Sequence, residues 1–112
     1  MSLWLIGAGG MARDYALVLQ GLSQEFEVVG RNETSAKKFE GETGHAVRQG
    51  GLSSALVNSE APRQAIIAVG VEHLAKVATE LIKAGTHQIL IEKPGGISSK
   101  EIRELRQVEA KH

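Results

Sequence analysis

The chain has 112 residues, 42% of them hydrophobic, and its 13 basic residues balance 13 acidic ones. This length suits one globular domain, and the charge balance lacks the basic surplus of a nucleic-acid-binding protein. The sequence has no cysteine, which excludes disulfides and thiolate metal sites, and its apolar runs fall short of the roughly 18 residues of a membrane span, so we expect a soluble, cytoplasmic protein.

The first predicted elements are a strand, a glycine-rich turn and a helix. Leu3–Ile6 is an apolar run, and the segment Gly7-Ala8-Gly9-Gly10-Met11-Ala12 follows it directly. Apolar residues then recur at helical spacing and stop near Gly21 to Ser23: Met11, Ala12, Tyr15, Ala16, Leu19 and Leu22. This pattern predicts a first helix with one buried face.

Shorter elements are predicted in the middle of the chain. The first two are a strand at Phe26–Val29 and a helix at Thr34–Glu40, capped by Asn32 or Thr34. A short edge strand at His45–Arg48 and a short helix at Leu52–Val57 follow, and Pro62 ends this segment. Four glycines between Gly41 and Gly51 indicate turns around the edge strand.

The second half of the chain begins with the run Ala65–Val69, whose unbroken apolar character predicts a parallel strand buried on both faces. Glu72–Ala84 predicts a helix that ends at Gly85, with an inward stripe of Leu74, Val77, Ala78, Leu81 and Ile82. Gln88–Ile91 predicts a last strand, and a capping box of Ser98 and Glu101 begins a final helix with Ile102, Leu105 and Val108 on one side.

The regular alternation of strands and helices predicts an α/β fold. We expect one Rossmann-like domain over residues 1–112, doubly wound, with a mainly parallel five-stranded sheet in the order 3-2-1-4-5 and helices on both faces.

The segment from Gly7 to Ala12 fits the dinucleotide-binding pattern Gly-x-Gly-x-x-Gly/Ala in its required context between strand and helix. Gly7 permits the tight turn, Gly9 lets a pyrophosphate approach the backbone, and Ala12 keeps the helix close to the strand. Ala8, Gly10 and Met11 complete the predicted cofactor-binding loop. The alternative interpretation is a tight turn that only packs helix on sheet.

The end of the second strand bears on which dinucleotide is bound. An Asp or Glu usually meets a free ribose 2′-hydroxyl there, but this chain has Gly30, followed by Arg31 and Asn32. Without the carboxylate a 2′-phosphate is not repelled, and the guanidinium of Arg31 can bind it, so NADP is favoured over NAD. Thr34, Lys37 and Lys38 are weaker candidates; alternatively, Arg31 is an ordinary surface arginine.

The fourth and fifth strands are predicted to bring further residues to the same edge, because ligands of open parallel sheets lie beyond the carboxyl ends of the strands. The fourth strand leads into Val69, Gly70 and His73, and the fifth into Glu92-Lys93-Pro94. His73 lines the cofactor cleft or is a partly buried, hydrogen-bonded histidine. The other histidines, His45, His87 and His112, have no spacing that indicates metal ligation.

The glycine motif, the turn with His73 and above all Ile89-Leu90-Ile91-Glu92-Lys93-Pro94 resemble the glucose-fructose oxidoreductase, inositol dehydrogenase and rhizopine-catabolism (GFO/IDH/MocA) family. The resemblance implies that Lys93 lies near the nicotinamide and the substrate hydroxyl, and that Glu92 anchors the loop or Lys93. Members often have a cis peptide before the proline. They also continue into a second domain that holds the substrate and builds the oligomer, and this domain is absent from the 112 residues.

Two functions follow from these features. The first is the cofactor domain of an NADP-dependent oxidoreductase for a sugar, a cyclitol or a related hydroxyl or carbonyl compound, which binds dinucleotide but is inactive alone because it lacks the substrate domain. The alternative is a stand-alone, non-catalytic module in which bound nucleotide alters the affinity for a partner chain. For the oxidoreductase domain we expect no nucleic-acid or membrane partner, and a homo-oligomer is possible.

Overall fold

The computed structural model describes residues 2–91 of the chain. In that range strands and helices alternate as β1 (Leu3–Ile6), α1 (Gly10–Gly21), β2 (Glu27–Val29), α2 (Glu33–Thr43), β3 (Val47–Arg48), α3 (Gly51–Asn58), β4 (Gln64–Ile67), α4 (Val71–Ala84) and β5 (Gln88–Ile91). The predicted final helix, with Ser98 and Glu101, and the Glu92-Lys93-Pro94 segment lie outside the described residues.

The strands form a single parallel sheet in the order β3-β2-β1-β4-β5, which confirms the predicted topology. The central strand β1 pairs with β2 on one side and β4 on the other, so Ile6 lies level with Val29 and Ile67. Strand order therefore reverses beside β1, at the carboxyl edge where open α/β sheets bind ligands.

Helices cover both faces of the sheet because successive side chains of each strand point to opposite sides. On one face Leu3 and Leu5 of β1 join the buried residues of α1 and α2, including Leu19 and Phe39. On the other face Trp4 and Ile6 join those of α3 and α4. The central strands are buried throughout, as the unbroken apolar run of β4 predicts.

Most of the bounds differ from the prediction by one or two residues, and those of α2 and β4 bear on the site. Helix α2 runs from Glu33 to Thr43 rather than from Thr34 to Glu40, because Asn32 caps its start and Gly44, in the left-handed conformation, ends it. Strand β4 stops at Ile67, so Ala68 and Val69 lie in the turn that enters the ligand edge.

The predicted inward stripe of α4 was wrong at one position. Leu81 is fully buried, whereas Ile82 is 65% exposed, because the face that contacts the sheet is centred on Leu81 and Ile82 lies about 100° further round the helix. None of the helices among residues 2–91 is both long and apolar enough to cross a membrane.

Candidate functional site

A cleft of about 430 Å³ opens at the carboxyl edge of the sheet. Four turns line it, those that follow β1, β2, β3 and β4. Of the predicted site residues, ten line this cleft: Gly7, Ala8, Gly9, Met11, Gly30, Arg31, Asn32, Val69, Gly70 and His73. Glu92 and Lys93 lie outside the described residues.

Gly7 makes the turn that leaves β1. Its φ of +123° is a backbone conformation that residues with a side chain rarely adopt. A Cβ atom at this position would lie 2.3 Å from the carbonyl oxygen of Ala68. The amide of Gly7 also donates a hydrogen bond of 2.8 Å to the carbonyl oxygen of Val29. Only glycine allows β1, β2 and β4 to approach this closely at the edge.

The start of α1 presents open backbone to the cleft. Gly9 precedes the helix as its N-cap, and Cβ atoms built on Gly9 and Gly10 would meet no atom within 4 Å. Ala12, in contrast, is fully buried against the sheet. Met11, a predicted residue of the cofactor-binding loop, is 40% exposed and lines the cleft in the first turn of α1.

Three helices begin with a glycine at this edge. The N-caps of α1, α3 and α4 are Gly9, Gly50 and Gly70, and in the described structure no side chain caps these helices. In α3 the first amide donates to the carbonyl oxygen of Gly30, whereas in α1 and α4 no side chain caps the amides of the first turn. The positive ends of the three helix dipoles converge on the cleft. Such an arrangement suits an anionic ligand, phosphate above all.

The nearest basic side chain of α1 is engaged elsewhere. Arg13 donates to the carboxylate of Glu42 at 2.7 Å, and this hydrogen bond raises the pKa of the Arg13 guanidinium above its usual value. An anion beside Gly9 would consequently be held by backbone amides and not by a side-chain charge.

Gly30 is buried where β2 ends, and both of its backbone polar groups are paired. Its amide donates to the carbonyl oxygen of Arg48 at 2.9 Å, and its own carbonyl oxygen accepts from the amide of Gly51 at 2.9 Å. A Cβ on Gly30 would lie 2.9 Å from a methyl of Val47 and 3.1 Å from Ala8. A side chain at this position would therefore require Val47 to shift.

Arg31 extends from the end of β2 across the mouth of the cleft. Its Nη2 atom lies 3.2 Å from Nε2 of His73, at the start of α4. A guanidinium can only donate, so in this contact Nε2 of His73 is the acceptor. The Glu72 carboxylate lies 3.7 Å from the same ring nitrogen. The structure thus brings the predicted residues Arg31 and His73 together.

Asn32 caps α2, since its Oδ1 atom accepts a hydrogen bond of 2.9 Å from the amide of Ser35. Ser35 itself lines the cleft. Lys37 forms an ion pair of 2.8 Å with Glu33 on the exposed side of α2, and among the described contacts it is not part of the cleft lining. Of the side chains near Arg31, Ser35 is therefore better placed than Lys37 for a ligand.

Helices α3 and α4 form a wall of the cleft that the sequence pattern does not predict. Gly50 and Gly51 lie in the left-handed region at φ +101° and +84°, and both line the cleft. Ser53 of α3 donates a hydrogen bond of 2.6 Å to Glu80 of α4, and Lys76 lies beside them in the lining. The adjacent glycines were the only sequence signal for this wall.

Residues 2–91 hold no cluster of three acidic or histidine side chains suited to a metal ion.

Comparison with protein families gives a match over residues 1–112 to the model for the GFO/IDH/MocA oxidoreductase family with an NAD-binding Rossmann fold. Comparison with curated proteins gives no match.

Several solved structures are similar to the chain. GenD2 from gentamicin A biosynthesis, in complex with NAD, is 26% identical, with a TM-score of 0.67 over 94% of this chain and 30% of its own. UDP-N-acetylglucosamine 3-dehydrogenase GnnA from Acidithiobacillus ferrooxidans is 25% identical, with a TM-score of 0.63 over 99% and 35%.

Biliverdin reductase from Synechocystis, in complex with biliverdin and NADP+, shares the fold at 23% identity, with a TM-score of 0.64 over 98% of this chain and 34% of its own. The chain thus spans about a third of the length of these three proteins.

Proposed function

The chain belongs to the oxidoreductase family with an NAD-binding Rossmann fold, and we propose that within this family it is the cofactor domain of an NADP-dependent enzyme. One observation carries the proposal: a cleft that holds three glycine-capped helix starts has Arg31, and no carboxylate, at the end of β2. The helix starts suit the pyrophosphate, and the arginine suits an additional phosphate.

The turn after β1 is the proposed pyrophosphate site. The residues present fit such a group, because Gly9 and Gly10 leave open the space that a Cβ would occupy, and no side chain in the described structure takes the amides at the start of α1. These amides bind the phosphate oxygens, aided by the dipole of α1, while Gly7 and Ala12 hold helix and strand in the required geometry.

The turn after β2 is the proposed site of the 2′-phosphate. Arg31 donates paired hydrogen bonds to it, and Asn32 and Ser35 offer polar groups on the same side. The usual NAD contact is an acidic residue at the end of β2, but this chain has the buried Gly30 there, where a side chain would crowd Val47. NADP and NAD both occur among the similar structures, so this preference rests on the residues of the chain itself.

Residues Val69 to His73 form the proposed wall for the nicotinamide half of the cofactor. When bound, the nicotinamide supplies hydride transfer, and the chain contributes binding, orientation and exclusion of water. From the family resemblance we also propose roles for two residues of the Glu92-Lys93-Pro94 segment. Lys93 would donate a hydrogen bond to the reacting hydroxyl or carbonyl oxygen of the substrate, and Glu92 would anchor the loop or Lys93.

The proposed substrate class is a sugar, a cyclitol or a related hydroxyl or carbonyl compound. GnnA, at 25% identity, is a dehydrogenase of UDP-N-acetylglucosamine, and GenD2, at 26%, belongs to gentamicin A biosynthesis. Because the chain covers about a third of these proteins, we propose that the substrate is held by a further domain outside the 112 residues and that these residues alone bind cofactor without turnover.

Titration of the chain with NADPH tests the proposal. We expect the fluorescence of the reduced nicotinamide to rise on binding, because the ring leaves water, and to return when oxidised NADP displaces it. The chain alone should leave NADPH unoxidised when a carbonyl sugar is added. An emission spectrum that does not change over a full titration would show that the chain does not bind NADPH, and the glycine turn would then serve only to pack helix against sheet.

A further inference from the structure

The turn that joins β3 to α3 contains two consecutive glycines in the left-handed conformation. Gly50 has a φ of +101° and Gly51 a φ of +84°. Two such residues in sequence reverse the chain tightly, so the start of α3 comes up against the end of β2. There the amide of Gly51 donates a hydrogen bond of 2.9 Å to the carbonyl oxygen of Gly30.

This contact fixes the residue from which Arg31 departs. The amide of Gly30 is held by the carbonyl oxygen of Arg48, and its carbonyl oxygen by Gly51, which lies on the other side of the same turn. Both peptide groups that flank Gly30 are thereby immobilised, and the direction in which Arg31 leaves the sheet is set by the β3–α3 connection.

Gly51 also lies under the side chain of Arg31. A Cβ atom built on Gly51 would be 3.6 Å from Cγ of Arg31, an ordinary contact distance, so the backbone of Gly51 lies beside the arginine stem and any longer side chain there would meet it. At the far end, Nη2 of Arg31 contacts His73. The arginine is therefore guided at its backbone, its stem and its tip.

We infer that Gly51 is a positioning residue that determines which form of the dinucleotide is preferred, by holding Arg31 where a ribose 2′-phosphate would lie. This inference rests on the proposed function. A long arginine side chain that is already placed loses less conformational freedom when it binds a phosphate, and so the gain in affinity is larger. A dinucleotide without the phosphate gains nothing from this arrangement.

The substitution Gly51→Asn tests the inference, with Gly44→Asn as its matched control. Asparagine tolerates the left-handed conformation that both glycines adopt. At Gly44, the C-cap of α2, an added Cβ meets no atom within 4 Å, whereas at Gly51 the added Cβ would lie in contact with the stem of Arg31, so the longer asparagine side chain extends beside that stem. The two variants therefore share the backbone requirement and differ in the contact with Arg31.

We expect Gly51→Asn to lower the ratio of NADP to NAD affinity at least fivefold, with NAD affinity itself within twofold of the parent chain, and Gly44→Asn to leave the ratio unchanged. Calorimetric titration with each dinucleotide gives both affinities, and circular dichroism establishes that each variant is folded. If Gly51→Asn does not fold, the smaller pair Gly51→Ala and Gly44→Ala is compared in the same way.

The outcomes separate the inference from the function on which it rests. A parent chain that binds NADP no better than NAD overturns the proposed preference and the inference with it. A parent chain that prefers NADP, together with a Gly51 variant that keeps the full preference, overturns the inference alone. An equal loss for both dinucleotides would assign Gly51 a purely structural role and would also overturn it.

Discussion

Replacing Gly7 with alanine is expected to lower the free energy of unfolding by about 2 to 5 kcal/mol, from the strain of a positive φ and the overlap of a new methyl with packed backbone. The physical reason lies in two observations: a φ of +123° and a Cβ position 2.3 Å from the carbonyl oxygen of Ala68. Neither β1 nor β4 can move to relieve this overlap, because both are hydrogen-bonded into the centre of the sheet. Urea unfolding followed by circular dichroism measures the change.

Gly9→Ala is the control for Gly7→Ala, because it changes the same loop without strain. The backbone of Gly9 is extended, at φ −94°, and its added methyl would meet no atom within 4 Å. Its stability should fall by no more than about 1 kcal/mol, as for other N-cap substitutions, while its affinity for NADPH falls because the methyl occupies the proposed pyrophosphate space. Equal stabilities for the two variants would contradict the structural role of Gly7. If Gly9→Ala binds NADPH as tightly as the parent chain, Gly9 does not border the pyrophosphate site.

Arg31→Ala should weaken NADP binding by about 1.5 to 3 kcal/mol, the range for a lost hydrogen bond to a charged group. NAD affinity should change little, since NAD presents no phosphate to this side chain. Fold stability should also change little, because Arg31 is exposed and its contact with His73 lies at the surface of the cleft. Titration calorimetry with both dinucleotides gives the two affinities.

Lys37→Ala is the matched control for Arg31→Ala. It removes the same formal charge six residues further along the chain, but the ammonium group of Lys37 is paired with Glu33 at 2.8 Å on the exposed side of α2. NADP affinity should therefore stay close to that of the parent chain. If both variants weaken NADP binding by the same amount, the loss of affinity comes from the overall charge and not from a contact made by Arg31.

The sheet could be predicted from sequence because its strands carry an unambiguous physical signal. The run that forms β4 is apolar at every position except Gln64, and β1 is entirely apolar, which only a strand buried on both faces requires. Glycines and helix-forming segments between such runs leave a parallel, doubly wound order as the natural arrangement. Element bounds were less certain, since Asn32 and Thr34 are both good caps and only the structure shows that Asn32 is used.

The side-chain error at Ile82 originates in helix geometry. Ile82 fits an apolar period, yet it lies at the margin of the buried face of α4 and faces outward. Met11 also fits an apolar period, and it lines the cleft, as its place in the predicted cofactor loop requires. Periodicity counts residues along one helix and contains no information about which part of the stripe the sheet covers.

The candidate site could be predicted only where local sequence sets local geometry. The turns after β1 and β2 follow from Gly7 and from the end of an apolar strand, but the contribution of Gly51 depends on a hydrogen bond to a residue 21 positions earlier. The contact between Arg31 and His73 likewise joins two turns that are distant in sequence. Such pairings depend on the three-dimensional approach of loops, for which no short-range pattern exists.

The claim that NADP is the preferred cofactor is tested most directly by calorimetric titration of the unmodified chain with NADP and NAD under identical buffer and salt conditions. We expect both dinucleotides to bind at one site and NADP to bind at least tenfold more tightly, a difference of about 1.4 kcal/mol or more. Equal affinities, or tighter binding of NAD, would contradict the assignment of Arg31 to the 2′-phosphate.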